Sequence, residues 1–240
     1  MLSILVPSRE RPELLNRFLK SVDDTILEAV EILVFVDHDE PRLEEYEFCI
    51  HNWRGKLRVE LFTAKGITTV GQAWNFLYKR SIGDFLMMGN DDLVCITQGW
   101  DAIVKKNLVE SYDDAICLAW TNDLSGQSHT HCAFPIVHRT WVETLGYFTT
   151  AHFHFLLNDT WIFDIAKKLD RLCYLPDVKI EHRHFAFQKA KYDNTYKKHR
   201  VGEDAKEKRR YDFKVYKELE YRREEDAQKL YDYIKSRGIK

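Results

Sequence analysis

Gly83–Val94 reads G-D-F-L-M-M-G-N-D-D-L-V, and the fold of the chain turns on how that stretch is read. Apolar residues Phe85 to Met88 run without a break into Gly89, Asn90, Asp91 and Asp92. Such a run fits a strand buried on both faces, as in a parallel sheet. Its carboxyl end then delivers an amide and two carboxylates into a turn, and in open α/β sheets ligands bind at that end. Oxygen ligands on a tight turn suit a hard divalent cation, which usually accompanies a substrate phosphate. The plain alternative is a polar turn, since Asn and Asp favour turns in any case.

Towards the N-terminus, Leu2–Pro7 (L-S-I-L-V-P) and Glu31–Val36 (E-I-L-V-F-V) read as further buried strands. Lys56–Phe62 alternates charged and apolar residues and reads as a more exposed strand. Between them, Pro12 sits at a first helical position ahead of Leu14, Leu15, Phe18, Leu19 and Val22 at helical spacing. Helices are expected from Pro41 to about Ile50 and from Thr69 to Arg80. This strand–helix alternation predicts a mostly parallel, right-handed βαβ sheet. Beyond it, the pattern predicts a helix from Trp100 to about Val109 and strands at Ala115–Trp120, Cys132–Val137 and Val178–His182. Short helices are expected at Thr140–Leu145 and Asp159–Lys168. From about Gly202 a charged, Tyr-rich helix follows, in which Tyr216, Leu219, Ala227, Leu230, Tyr231 and Ile234 share an apolar face.

At 240 residues the chain fits one large domain, or one domain plus an appendage. No apolar run approaches the ~18 residues that span a bilayer, and Met1–Pro7 lacks the basic flank of a signal peptide. Five cysteines scattered without a C-x-x-C suggest reduced thiols and a cytoplasmic setting. Charge is uneven: residues 1–185 carry 19 Lys/Arg against 27 Asp/Glu, and residues 186–240 carry 17 against 11. The basic tail on an acidic body is a clue to partners.

Val6-Pro7-Ser8-Arg9-Glu10-Arg11-Pro12 resembles the opening of nucleotide-sugar glycosyltransferases with the GT-A fold, with Glu10 where that family usually has Asn. The likeness continues in order. Val36-Asp37 matches the second-strand Asp that contacts the nucleotide base. Gly71, Ala73 and Asn75 match a small-residue helix and its Asn beside the donor. Gly83-Asp84 matches the Gly-Glu/Asp before the fourth strand, and Asn90-Asp91-Asp92 falls on the D-x-D motif. Leu145-Gly146-Tyr147-Phe148 and Asn158-Asp159 match the Leu-Gly-x-Phe and Glu/Asp-Asp segments that follow. The resemblance spans roughly residues 2–185. It implies an α/β, Rossmann-like GT-A fold: a mostly parallel central sheet with helices on both faces. Residues 1–95 would form the nucleotide-sugar half, 96–185 the acceptor-side half and 186–240 a basic helical extension.

The resemblance also implies roles. Pro7, Ser8, Glu10 and Asp37 would hold base and ribose, with Asn75, Asn90 and Asp91 around the donor. Asp92 stands at the position of the direct metal ligand, and His182, after the last strand, resembles the third ligand, with His184 as the fallback. The family expectation is Mn²⁺ rather than Mg²⁺. Asn90 departs from the motif, because an amide contributes no charge, and Asp91 could equally cap a turn. Asp159 would take the proton from an acceptor hydroxyl, giving inversion at the anomeric carbon. Its plain alternative is a first-turn carboxylate that stabilises a helix dipole. Asp164, five residues on, reads as surface.

The pairs His129/His131, His152/His154 and His182/His184 raise a zinc reading, but no H-E-x-x-H signature accompanies them. Most such histidines are surface or hydrogen-bonded residues. Lys189–Arg223 interleaves cations with Tyr and Phe, which suits phosphates and stacked bases. It also suits an amphipathic helix with a solvated face. No Q-x-x-R-W string of processive synthases occurs, so a single-transfer enzyme is expected, with hydroxymethylated pyrimidine in DNA as one concrete acceptor. A transferase for a glycan or lipid-linked precursor stays open, as does a catalytically silent nucleotide- or DNA-binding module. A nucleotidyltransferase lacks its Gly-Gly-x-Gly-x-Arg-like opening here.

Overall fold

The computed structural model describes residues 1–238. β1 (Leu2–Pro7), β2 (Val30–Asp37) and β4 (Phe85–Met88) carry the apolar runs and are buried almost throughout, while β3 (Arg58–Ala64) alternates at the edge. These four pair in parallel in the order β3-β2-β1-β4. The helices between them are α1 (Pro12–Thr25), α2 (Leu43–His51) and α3 (Val70–Tyr78). Pro12 opens α1 as expected. Thr69 and Gln72 form a reciprocal capping box that starts α3.

The second half is more mixed. It runs β5 (Leu93–Cys95), α4 (Trp100–Ser111), β6 (Leu118–Asn122), β7 (Ile136–His138), α5 (Arg139–Leu145), α6 (Asn158–Leu169) and β8 (Leu172–His182). β7 pairs antiparallel with both β4 and β6, β8 runs parallel to β6, and β5 pairs antiparallel with β8. Two strands start later than their apolar runs suggest. Ala115 turns into the left-handed region ahead of β6 (φ 56°). Pro135, with no N–H to offer a ladder, lies just ahead of β7.

Successive side chains of β1, β2 and β4 point to opposite faces, so they feed two cores. Ile4, Ile32 and Met87 pack with α1 and α4, whereas Leu5, Leu33 and Met88 pack with α3, α5 and α6. The C-terminal helices α7 (Asn194–Arg200), α8 (Glu203–Glu218) and α9 (Glu220–Ser236) follow. Val215, Ala227, Leu230 and Ile234 from α8 and α9 join the second core. Tyr231, expected on that apolar face, is exposed instead. Asp164 is not plain surface, because Arg223, 2% exposed, donates to it at 2.6 Å and pins α9 to α6. Among the described residues no helix is long and apolar enough to cross a membrane.

Candidate functional site

Strand direction gathers the site. Because β7 alone is reversed between β4 and β6, the carboxyl ends of β1, β4, β6 and β8 reach one edge of the sheet. There they border a cavity of about 670 Å³ whose lining includes Asn90, Asp92, Asp123, His131, Asp159 and His182.

Asp92 and His182 are brought together by backbone register. Leu93 opens β5 directly opposite His182, and the Arg183 N–H donates to the Asp92 carbonyl at 2.9 Å. His182 Nε2 then lies 3.5 Å from Asp92 Oδ2, to which the Tyr196 hydroxyl donates at 3.3 Å. Asp92 is only 3% exposed, yet its Oδ1 and the His182 Nε2 have no hydrogen-bond partner. Burial is the largest single influence and opposes the charge on Asp92, but His182, Arg11 and His184 together hold its carboxyl below the usual range. A carboxylate oxygen and an imidazole nitrogen left unpaired side by side are costly. The pair fits a divalent cation. No group of three His, Cys, Asp or Glu suited to a metal occurs among the described residues, so diphosphate oxygens and water would complete the shell. His184 fits less well. Its Nδ1 accepts the Ala186 N–H at 3.1 Å, which leaves the ring proton on Nε2, and burial with His182 nearby pushes it down to about 4.

Asp91 faces away from the cavity. It accepts from Ser8 Oγ at 2.6 Å and pairs with Arg11 at 3.3 Å. Burial and the neighbouring Asp92 raise its carboxyl, against the pull of Arg11. Ser8 also bonds the Tyr46 hydroxyl at 2.6 Å, so Ser8, Asp91, Arg11 and Tyr46 form one network under the strand ends. Pro7 ends β1 just ahead of it. Glu10 adopts φ 56°, and its carboxylate accepts from Asn194 at 3.2 Å. One oxygen of Asp37 accepts from Arg9 at 2.8 Å; the other has no partner among the described residues. Asn75 is turned away from the cavity: its amide donates to Thr149 O at 2.6 Å and accepts from Phe148 N at 2.7 Å. It braces the loop after Gly146. Gly71 serves the same contact, since any Cβ there would collide with the Thr150 carbonyl. Of the expected residues, Asn90, Asp92, Asp159 and His182 line the cavity, and Pro7, Ser8, Glu10, Asp37, Asn75 and Asp91 do not. Asn90 is free of side-chain hydrogen bonds among the described residues.

Asp159 stands in the first turn of α6, after Leu157 in the left-handed conformation (φ 68°). Its Oδ1 accepts from Thr160 N at 2.7 Å, and its Oδ2 lies 3.4 Å from His131 Nε2. Hydrogen bonding to Asp159 raises His131 above its ordinary value. The loop leading to Asp159 hangs on Asp212 of α8, whose buried carboxylate accepts from His154, Phe155 and Leu156 N–H at 2.7, 3.0 and 2.9 Å. Asp212→Ala would strand three backbone donors. It is expected to cost about 3 kcal/mol or more, read as a lower urea midpoint.

Sequence reasoning missed Arg11, Tyr46, Asp123, His131 and Asp212 as parts of this edge. Arg11 and His131 each lay within a string already singled out; Tyr46, Asp123 and Asp212 carried no local signal.

No family model and no curated protein matches the chain. Solved structures do. The mannosyltransferase PcManGT from Pyrobaculum calidifontis, in complex with GDP-Man and Mn²⁺, superposes with a TM-score of 0.61 at 14% identity, over 76% of this chain and 57% of that one. TarS from S. aureus, in complex with UDP-GlcNAc, gives 0.59 at 13% identity, over 87% and 64%. The chain thus spans less than two thirds of the length of either neighbour. The likeness is one of fold, and the chain has the nucleotide-sugar glycosyltransferase fold of GT-A type.

Proposed function

We propose that this chain is a metal-dependent, inverting glycosyltransferase that moves a sugar from a nucleoside-diphosphate donor to an acceptor hydroxyl. The observation that carries the reading is the buried, partnerless Asp92 Oδ1 and His182 Nε2, on residues bordering a cavity that Asp159 also lines. Asp92 and His182 would hold Mn²⁺ in preference to Mg²⁺, a choice supported by the Mn²⁺ in the mannosyltransferase complex. A divalent ion there supplies positive charge against the diphosphate as it departs. Pro7, Ser8, Glu10 and Asp37, which lie outside the cavity itself, would meet base and ribose where the donor extends beyond it, with Asn90 beside the donor. Asp91 holds Ser8 and Arg11 in place, and Asn75 acts through the loop it braces.

In the transfer, the Asp159 carboxylate takes the proton of the acceptor hydroxyl as its oxygen attacks the anomeric carbon. The bond from that carbon to the diphosphate oxygen breaks, and its electron pair leaves with the nucleoside diphosphate. Attack opposite the leaving group inverts the anomeric centre. His131 keeps the Asp159 carboxylate oriented. The acceptor we favour is a hydroxymethylated pyrimidine in DNA, supported by the basic and aromatic residues of α7 and α8 that line the cavity, among them Tyr196, Arg200, Arg209 and Phe213. Its base would have to be flipped outward.

Thermal melting with a panel of nucleotide sugars tests the donor reading. One donor should raise the melting point with Mn²⁺ and fail to do so with EDTA, because ligands that bind only the folded form stabilise it. No shift with any donor, or a product of retained configuration by NMR, overturns the assignment. Transfer to a glycan or lipid-linked precursor but not to hydroxymethylated DNA moves the acceptor. Deleting residues 186–240 is a poor test, since Asp212 and the core residues of α9 would go too.

A further inference from the structure

Cations on α8 mostly find carboxylates. Lys206 and Arg210 pair with Glu203, Lys208 with Asp204 and Lys214 with Glu218, all on the solvent side. Arg209, which lines the cavity, has no such partner among the described residues, and neither has Arg200 at the end of α7. Among the described residues no acid that lines the same cavity pairs with either arginine: Asp92 lies beside His182, Asp123 accepts from Ser125 and Ser128, and Asp159 accepts from Thr160 and lies beside His131. Burial, and then the like charge of Arg209, lower Arg200. Two guanidinium groups on one cavity wall repel each other, and a distant ring contact apiece is all that the chain sets against it among the described residues. A negative charge arriving from outside would neutralise that repulsion.

Their position says which charge. Arg200 lies over the Phe155 ring at 6.0 Å, and His199 stacks on that ring at 4.0 Å. Phe155 precedes Asp159 by four residues on the loop that Asp212 holds. Arg209 lies 5.8 Å from the Phe213 ring, next to Asp212. Arg209 thus sits on the helix that holds the loop of the proposed base, and Arg200 contacts that loop from α7, whose Tyr196 reaches Asp92 on its other side. We propose that Arg200 and Arg209 form an anion subsite on the acceptor wall, which docks a phosphate carried by the acceptor close to its reacting hydroxyl. This rests on the transferase reading. Guanidinium forks suit phosphate oxygens, and His199, pushed down to about 4 by burial and nearby cations, stays neutral as a further hydrogen-bonding group.

Inorganic phosphate is the probe. It is titrated into the full chain in EDTA at constant ionic strength, with chloride as the reference and melting point as the readout. UDP and GDP with Mn²⁺ are titrated separately. Phosphate is expected to raise the melting point above chloride, and Arg200→Gln/Arg209→Gln to weaken that binding by about tenfold or more. Affinity for the nucleoside diphosphate should stay within about twofold. In chloride alone the double variant should melt at or above the wild type, because a repulsion has been removed. Phosphate acting no better than chloride, or equally on the double variant, overturns the subsite. So does a loss of nucleoside-diphosphate affinity as large as that for phosphate, which would assign the arginines to the donor, and so does a several-degree drop in chloride. Should wild type bind phosphate but neither these nucleotides nor any donor of the panel, the transferase reading fails while the subsite stands as an anion site.

Discussion

Asp92→Ala is expected to weaken Mn²⁺-dependent donor binding by about 100-fold or more, close to 3 kcal/mol. The substitution would remove the charged ligand of the proposed two-ligand site, and among the described residues no group of three His, Cys, Asp or Glu could hold a metal in its place. The same change relieves a buried oxygen that has no partner in the free protein. The variant without ligands should therefore be as stable as wild type, or more so, as is common where a site stores unfavourable contacts for use. Calorimetry with Mn²⁺ and the donor gives the first number and urea denaturation the second. Unchanged donor affinity would remove Asp92 from the metal site. A large loss of stability would make it a structural partner of His182 and Tyr196.

Asp159→Asn should lower kcat by about 10²- to 10⁴-fold, the usual range for a general base, and leave donor affinity within about twofold. The amide keeps the shape that accepts from Thr160 but cannot take a proton. If the carboxylate only stabilised the start of α6, the variant would lose a fraction of a kcal/mol of stability and little rate. Rapid-quench measurement of single turnovers separates the two, since it reads the chemical step directly. A kcat within threefold of wild type would place the base elsewhere.

The parts of this protein that sequence made legible are those whose signal is local. Apolar runs fixed β1, β2 and β4, Pro12 fixed the start of α1, and Asn90-Asp91-Asp92 was placed at a strand end where a site belongs. What stayed hidden depends on side-chain direction or on distant partners. Asn75 and Asp91 are polar residues at plausible positions, yet one braces Thr149 and the other Ser8 and Arg11. Three-residue β5 is too short to show a period, although it sets Asp92 against His182. The pairing of His131 with Asp159, and of Asp212 with residues 154–156, joins segments that carry no common pattern.

The short ladder between β5 and β8 limits how such a protein can diversify. β8 leaves β6 through an irregularity in which Thr121 faces Leu175 but Asn122 faces Lys179, and only then meets β5. A slip of one residue on that last stretch would turn His182 to the far side of the sheet. Gains or losses of chain between Leu175 and His182 are thus all-or-none for the centre, with no intermediate settings. Drift in substrate choice is left to the peptide on either side, where a change in length alters what is recognised without unseating the chemistry.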